Sequence, residues 1–109
     1  MDIKKNIIVF IPARGGSKGI PKKNIINFLN KPLIEHSIDY AKTSKIVSNI
    51  YVSTDNDDIA KIASKNNVEI VKRPSSISGD TATTESALIH TLNNITDKPD
   101  IIILLQPTS

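Results

Sequence analysis

Ile7-Ile-Val-Phe-Ile11, running straight into Pro12-Ala-Arg-Gly-Gly-Ser-Lys-Gly-Ile-Pro-Lys-Lys-Asn24, is the stretch that decides how this chain is read. A near-continuous aliphatic run suits a strand covered on both sheet faces, so the first strand is expected over residues 6–11. The loop after that strand suits an anion. Gly15, Gly16 and Gly19 permit close backbone approach, and the N–H groups of such a loop can form a nest around phosphate oxygens. Arg14 adds a planar fork, while Lys18, Lys22 and Lys23 add compact positive charge. The spacing matches neither common phosphate loop. Gly19 is followed by Ile20-Pro21 where a Walker loop needs Lys-Ser/Thr, and the glycines read G-G-x-x-G where a dinucleotide fingerprint needs G-x-G-x-x-G. An ordinary turn with solvated lysines is the plain alternative. Arg14 before the glycines and Lys23-Asn24 after Pro21 tip the balance toward a polyphosphate.

Outward from this loop, helical and strand patterns alternate. Residues 25–29 are ambiguous. Pro32 suits a helix start, and Leu33, Ile34, Ser37, Ile38 and Ala41 form an apolar stripe to about residue 44. A second strand is expected over 50–53. Residues 54–57 offer several N-caps to a helix that buries Ile59, Ala60, Ile62 and Ala63 and ends at Asn66-Asn67. A third strand occupies 68–71, and a Ser/Thr-rich loop occupies 75–83. Thr84 begins a helix with Ala87, Leu88, Thr91, Leu92 and Ile95 on one face, and residues 100–106 form the most apolar strand. The order β-α-β-α-β-α-β implies an α/β fold: a mostly parallel sheet in a three-layer α/β/α arrangement with right-handed crossovers. Ligands of such sheets bind beyond the carboxyl ends of the strands. Four polar clusters fall there, at residues 14–24, 53–55, 73 and 106–109.

With 109 residues, 39% hydrophobic but only 4% aromatic, the chain fits one small domain with an aliphatic core. It has no cysteine, which removes disulfides and thiolate metal sites and is compatible with a reducing cytoplasm. No run approaches the ~20 apolar residues of a membrane span, and no signal peptide is evident. The net charge of +3 is modest, and the scarcity of aromatics argues against nucleic-acid binding.

The residues Ile11–Asn24 resemble the N-terminal signature of the CMP-sialic acid synthetases (N-acylneuraminate cytidylyltransferases) and of relatives activating other nine-carbon ulosonic acids. Three further segments match in order: Val52-Ser-Thr-Asp55; Arg73-Pro74 with Gly79-Asp-Thr-Ala82; and Leu104-Leu-Gln-Pro-Thr-Ser109. Together they cover essentially the whole chain. Lys23-Asn24 favours this branch over the CMP-Kdo synthetases, whose loop typically ends in G-K-P-L. The resemblance implies a Rossmann-like nucleotidyltransferase fold, CTP and an ulosonic acid as substrates, and Mg²⁺ as the cofactor. It places Arg14 and Lys23 at the triphosphate as the catalytic pair. Ala13, Gly15, Gly16, Ser17 and Lys18 would hold the nucleotide with them. Asn24, Arg73, Ala82 (through its backbone) and Thr84 would contact the nucleoside, and Gln106 would lie near the acceptor sugar. Where the family commonly has Ser, this chain has Thr83 or Thr84, which keeps the hydroxyl.

Each role has a plainer rival. Arg73 could pair with Glu69 or Asp80 at the surface, Asp80 could cap its loop, and Thr84 could be only an N-cap. Asp55 is better read as a helix cap than as a metal ligand. His36 and His90 fall on helices away from the rim and are read as packing or surface residues. The family's metal-binding carboxylates lie in a later D-x-D segment, so no metal ligand is expected within residues 1–109. That range is read as the N-terminal CTP-binding part of a longer enzyme, a homodimer when complete. Alone it is expected to be inactive and marginally stable. The rival functions are nucleotidyl transfer to another sugar such as Kdo, and a non-catalytic nucleotide-binding module.

Overall fold

The computed structural model describes residues 5–13, 27–28, 31–74, 83–96 and 98–106. Its main sheet comprises β1 (Ile7–Pro12), β4 (Asn49–Thr54), β5 (Glu69–Lys72) and β6 (Ile101–Leu104). They lie in the order β5-β4-β1-β6, and every pairing is parallel. The helices α1 (Leu33–Lys42), α2 (Asp57–Lys65) and α3 (Thr84–Asn94) make the crossovers. The expected alternation and parallel sheet are therefore present.

Alternation of side chains along the strands divides the core in two. On one face, Val9, Ile11, Ala13 and Val52 meet Ile34, Ile38 and Ala41 of α1 and Ile59 and Ala63 of α2. On the other, Ile8, Tyr51 and Val71 gather with Ile102 and with Ile95 at the end of α3. Ile34 and Ile38 are completely buried, each contributing about 1.5–3 kcal/mol of transfer free energy. Of the helix stripes foreseen from periodicity, Ile34, Ser37, Ile38, Ala41, Ile59, Ala63, Ala87 and Thr91 are buried, while Ala60, Ile62, Leu88, Leu92 and Ile95 are half-buried.

The differences are local. The strands begin or end within a residue or two of the expected bounds, and α1 stops at Lys42 rather than near residue 44. The ambiguous stretch contains a small antiparallel pair, β2 (Asn27–Phe28) with β3 (Lys31–Pro32), whose two-residue strands are too short to show a period. The apolar strand expected over 100–106, with part of a face or edge left exposed within residues 1–109, is β6: among the described residues it lies at the sheet edge, with Ile101, Ile103 and Leu104 40–50% exposed.

Side chains fasten the amino edge of the sheet. The Asn6 amide donates to Asp100 Oδ2 at 2.7 Å, and the Ile7 amide donates to Ser48 Oγ at 3.2 Å. At the end of α2, Asn66 is the C-cap and Asn67 turns the chain with φ of 59°, a left-handed conformation that Asn tolerates better than most residues.

Candidate functional site

Main-chain bonds extend the sheet just past its carboxyl edge. The Ala13 N–H donates to the Ser53 carbonyl at 2.8 Å, the Arg73 N–H to the Thr54 carbonyl at 2.8 Å, and the Leu105 N–H to the Phe10 carbonyl at 3.0 Å. Each of these residues comes just after a strand, so the parallel register aligns the strand ends as a rim.

Arg73 is 7% exposed and so is not a surface side chain. Its Nη2 donates to the Ser53 carbonyl at 3.2 Å. An arginine can stay charged in so buried a place only if its N–H groups have acceptors; a main-chain carbonyl at the strand end supplies one. At the other end of the rim, Gln106 Nε2 donates to Thr84 Oγ1 at 3.1 Å, tying the segment after β6 to the first turn of α3. From β5 to β6 is three strand spacings of about 4.8 Å, so Arg73 and Gln106 stand roughly 14 Å apart across the sheet.

Local capping sets where these groups start. Thr83, not Thr84, is the N-cap of α3: its hydroxyl accepts the Ser86 N–H at 2.9 Å, and Ser86 Oγ accepts the Thr83 N–H at 3.2 Å. That reciprocal pair satisfies two helix-end groups and leaves the Thr84 hydroxyl to meet Gln106. Asn56, not Asp55, caps α2, with Oδ1 accepting the Ile59 N–H at 3.0 Å; Asp55 precedes the cap. Lys72 pairs with Asp57 in the first turn of α2 and holds its carboxyl below the ordinary carboxylate value. His36 lies on α1 and His90 on α3, both half-buried.

Ala13, Arg73, Thr84 and Gln106 thus reach one edge of the sheet on four different segments. Arg14, Gly15, Gly16, Ser17, Lys18, Lys23, Asn24 and Ala82 lie outside the described residues, as does Asp80. Ser53 falls in the expected rim cluster, but its part as acceptor for two segments had no signal in the sequence, because the accepting atom belongs to the main chain. Among the described residues no group of three or more His, Asp or Glu side chains is placed to hold a metal ion. No helix among them is long and apolar enough to cross a membrane. A separate cleft of ≈ 240 Å³ opens at the amino edge, lined by Lys42, Ser48, Asn49, Asn67 and Glu69 among others, away from the rim.

The fold is a Rossmann-like nucleotidyltransferase fold. A CMP:2-keto-3-deoxy-manno-octonic acid synthetase complexed with CTP superposes on 94% of the chain and 40% of its own length, with a TM-score of 0.79 at 24% identity. A 4-diphosphocytidyl-2C-methyl-D-erythritol synthase does so over 97% and 48%, with a TM-score of 0.66 at 18% identity. At such identities the likeness is one of fold. The family model described as cytidylyltransferase matches residues 8–109, and the chain belongs to that family. Among its relatives, an N-acylneuraminate cytidylyltransferase of Escherichia coli O18:K1:H7 is 35% identical over 98% of the chain and 25% of the relative. One of Streptococcus agalactiae serotype III is 38% identical over 94% and 25%. A pseudaminic acid cytidylyltransferase of Campylobacter jejuni is 52% identical over 56% of the chain and 26% of the relative. The chain therefore spans about a quarter of the length of these curated relatives.

Proposed function

We propose that residues 1–109 form the CTP-binding part of a cytidylyltransferase that activates a sialic acid or a related nonulosonic acid as its CMP derivative. The observation that carries this reading is the carboxyl rim. A buried Arg73 fork rests on the Ser53 carbonyl beside Ala13, and Gln106 meets Thr84 across the sheet. The relatives named for N-acylneuraminate and pseudaminic acid favour a nonulosonic acid. The Kdo synthetase resembles the chain at the level of fold.

In the proposed reaction the anomeric hydroxyl oxygen bonds to the α-phosphorus of CTP, and the bond from that phosphorus to the bridging oxygen breaks. Pyrophosphate leaves with the electron pair, and the hydroxyl proton passes to solvent. Charge redistributes over phosphate oxygens, so positioning and electrostatic stabilisation supply the catalysis. Arg14 and Lys23 serve the triphosphate, with Lys23 at the reacting phosphate, and Gly15, Gly16, Ser17 and Lys18 hold further oxygens. Asn24, Arg73, Ala82 and Thr84 read the nucleoside, and Gln106 faces the acceptor. Mg²⁺ would add charge neutralisation at the triphosphate. Its carboxylates, the sugar-binding part and a homodimer interface are assigned to the remainder of a longer enzyme.

Calorimetry and turnover with the gene's complete product test the reading. CTP should bind at least about tenfold more tightly than ATP or GTP, because a wrong base leaves buried polar groups unpaired at ~1–3 kcal/mol each. Turnover should require an ulosonic acid, and Lys23→Ala should lower kcat far more than Lys22→Ala. Equal affinity for all the triphosphates would remove the cytidylyl assignment. Selective CTP binding without turnover on any ulosonic acid would favour the non-catalytic module.

A further inference from the structure

One oxygen atom connects two parts of the rim. The Ser53 carbonyl accepts the main-chain N–H of Ala13 at 2.8 Å and Nη2 of Arg73 at 3.2 Å. A carbonyl oxygen has two lone pairs, and here both are engaged. One bond fixes the residue immediately before the glycine-rich segment. The other fixes the guanidinium at the far side of β4. Ser53 itself has no exposed surface, and its Oγ makes no hydrogen bond among the described residues. The strand around it is held on both sides, by Pro12 in register on β1 and Val71 on β5. A larger side chain at this position cannot turn outward to solvent; it can be accommodated only by moving the strand end and its carbonyl.

We propose that Ser53 is a positioning residue of the nucleotide site, coupling the placement of Arg73 to that of Ala13 through its shared carbonyl. This rests on the reading of the rim as a nucleotide site. Ser53 touches no reacting atom; it acts through Arg73. Displacing the carbonyl removes one acceptor from the guanidinium fork, shifting it, and loosens the Ala13 amide at the same time. The nucleoside is then held less well in ground and transition states alike, so the loss falls on KM for CTP rather than on kcat.

The coupling has a readout that needs no nucleotide. In hydrogen-exchange measurements on the folded protein, Ser53→Val should speed exchange of the Ala13 and Arg73 amides about tenfold or more relative to amides in the middle of β1. Arg73→Ala should speed exchange at Ala13 as well, although Arg73 makes no direct bond to it. With the gene's complete product, Ser53→Val should raise KM for CTP about tenfold with kcat changed less than about twofold. The same substitution in an Arg73→Ala background should add little, since residues acting as one unit are not additive. Should Ser53→Val fail to fold, Ser53→Thr imposes a similar crowding while keeping a hydroxyl, and is read in the same way. Unchanged Ala13 exchange in Arg73→Ala would overturn the coupling. So would a Ser53→Val penalty of equal size with and without Arg73, or a lowered Tm with KM for CTP intact. Absence of CTP turnover by the unsubstituted complete enzyme strikes the functional reading instead, and leaves the exchange result to decide the coupling.

Discussion

On the face covered by α1 and α2, Ile34, Ile38, Ile59 and Ala63 lie against Val9, Ile11 and Val52, and the buried Thr54 hydroxyl accepts the Asn56 N–H at 3.1 Å. The face covered by α3 also buries its residues, but Ser53, Arg73 and Thr91 are among them, and the Ser53 and Thr91 hydroxyls have no hydrogen bond among the described residues. Both belong to one four-stranded sheet. The first face matches its buried threonine locally and, apart from Ser37 on α1, buries aliphatic side chains. The second retains costly polar groups, two of which, Ser53 and Arg73, lie at the rim where the nucleotide is proposed to bind. Aliphatic and polar burial are thus divided between the two sides of the same strands.

Breaking the first face should give the largest effect. Ile38→Ala removes a fully buried side chain from the α1 contact and is expected to cost about 2–5 kcal/mol by urea unfolding. A loss below about 1 kcal/mol would show that this side does not carry the core. Thr91→Val sharpens the contrast from the other side. Replacing a buried hydroxyl that lacks a partner among the described residues with a methyl should leave stability unchanged or raise it by about 1 kcal/mol. A clear destabilisation would reveal a partner for that hydroxyl and erase the distinction.

The smallest effect lies outside both faces. Lys72 holds the Asp57 carboxyl below its ordinary pKa, mainly through a side-chain hydrogen bond. The folded chain therefore binds this proton less readily than the unfolded chain. The pair's contribution is present above the unfolded value and is lost as pH falls through the lower folded one. Both side chains are largely exposed, so Asp57→Asn should alter Tm only slightly at neutral pH, and less again in high salt. A large, salt-independent change in Tm would show that the pair is more than a surface contact.

The long elements were legible because their burial leaves a period. Ile7-Ile-Val-Phe-Ile11 reads as strand, and Ile34, Ile38 and Ala41 lie on one helical face in sequence as in space. The β2–β3 pair was not legible, since two residues cannot show alternation. The exposure of β6 was anticipated from the position of its apolar run in the order of elements, since hydropathy alone reports that Ile101–Leu104 is apolar and not how many neighbours it has. At the caps, Asp55 and Asn56 are chemically alike, as are Thr83 and Thr84, and only backbone geometry chooses between them. The rim was legible as a set of polar residues after strands. Its specific contacts were not, because Gln106 meets Thr84 across 22 positions of sequence and Ser53 works through a carbonyl that every residue possesses.

The strand order also carries a history. β1 is early in the chain yet internal to the sheet, flanked by β4 and β6. Its amino end is fastened to Ser48 across 41 residues and to Asp100 across 94. Closing the longer loop costs only about 0.7 kcal/mol more, because loop entropy grows with the logarithm of length. Synthesis nevertheless delivers the partners in sequence. β1, α1, β4, α2 and β5 can assemble one covered face while one edge of β1 is still unpaired, and β6 can join only after residue 101 has been made. The aliphatic side of the molecule has the material to form first. The side bearing Arg73 and Gln106 waits for β6, made after the other three strands, so the growing chain acquires a core before it acquires a rim.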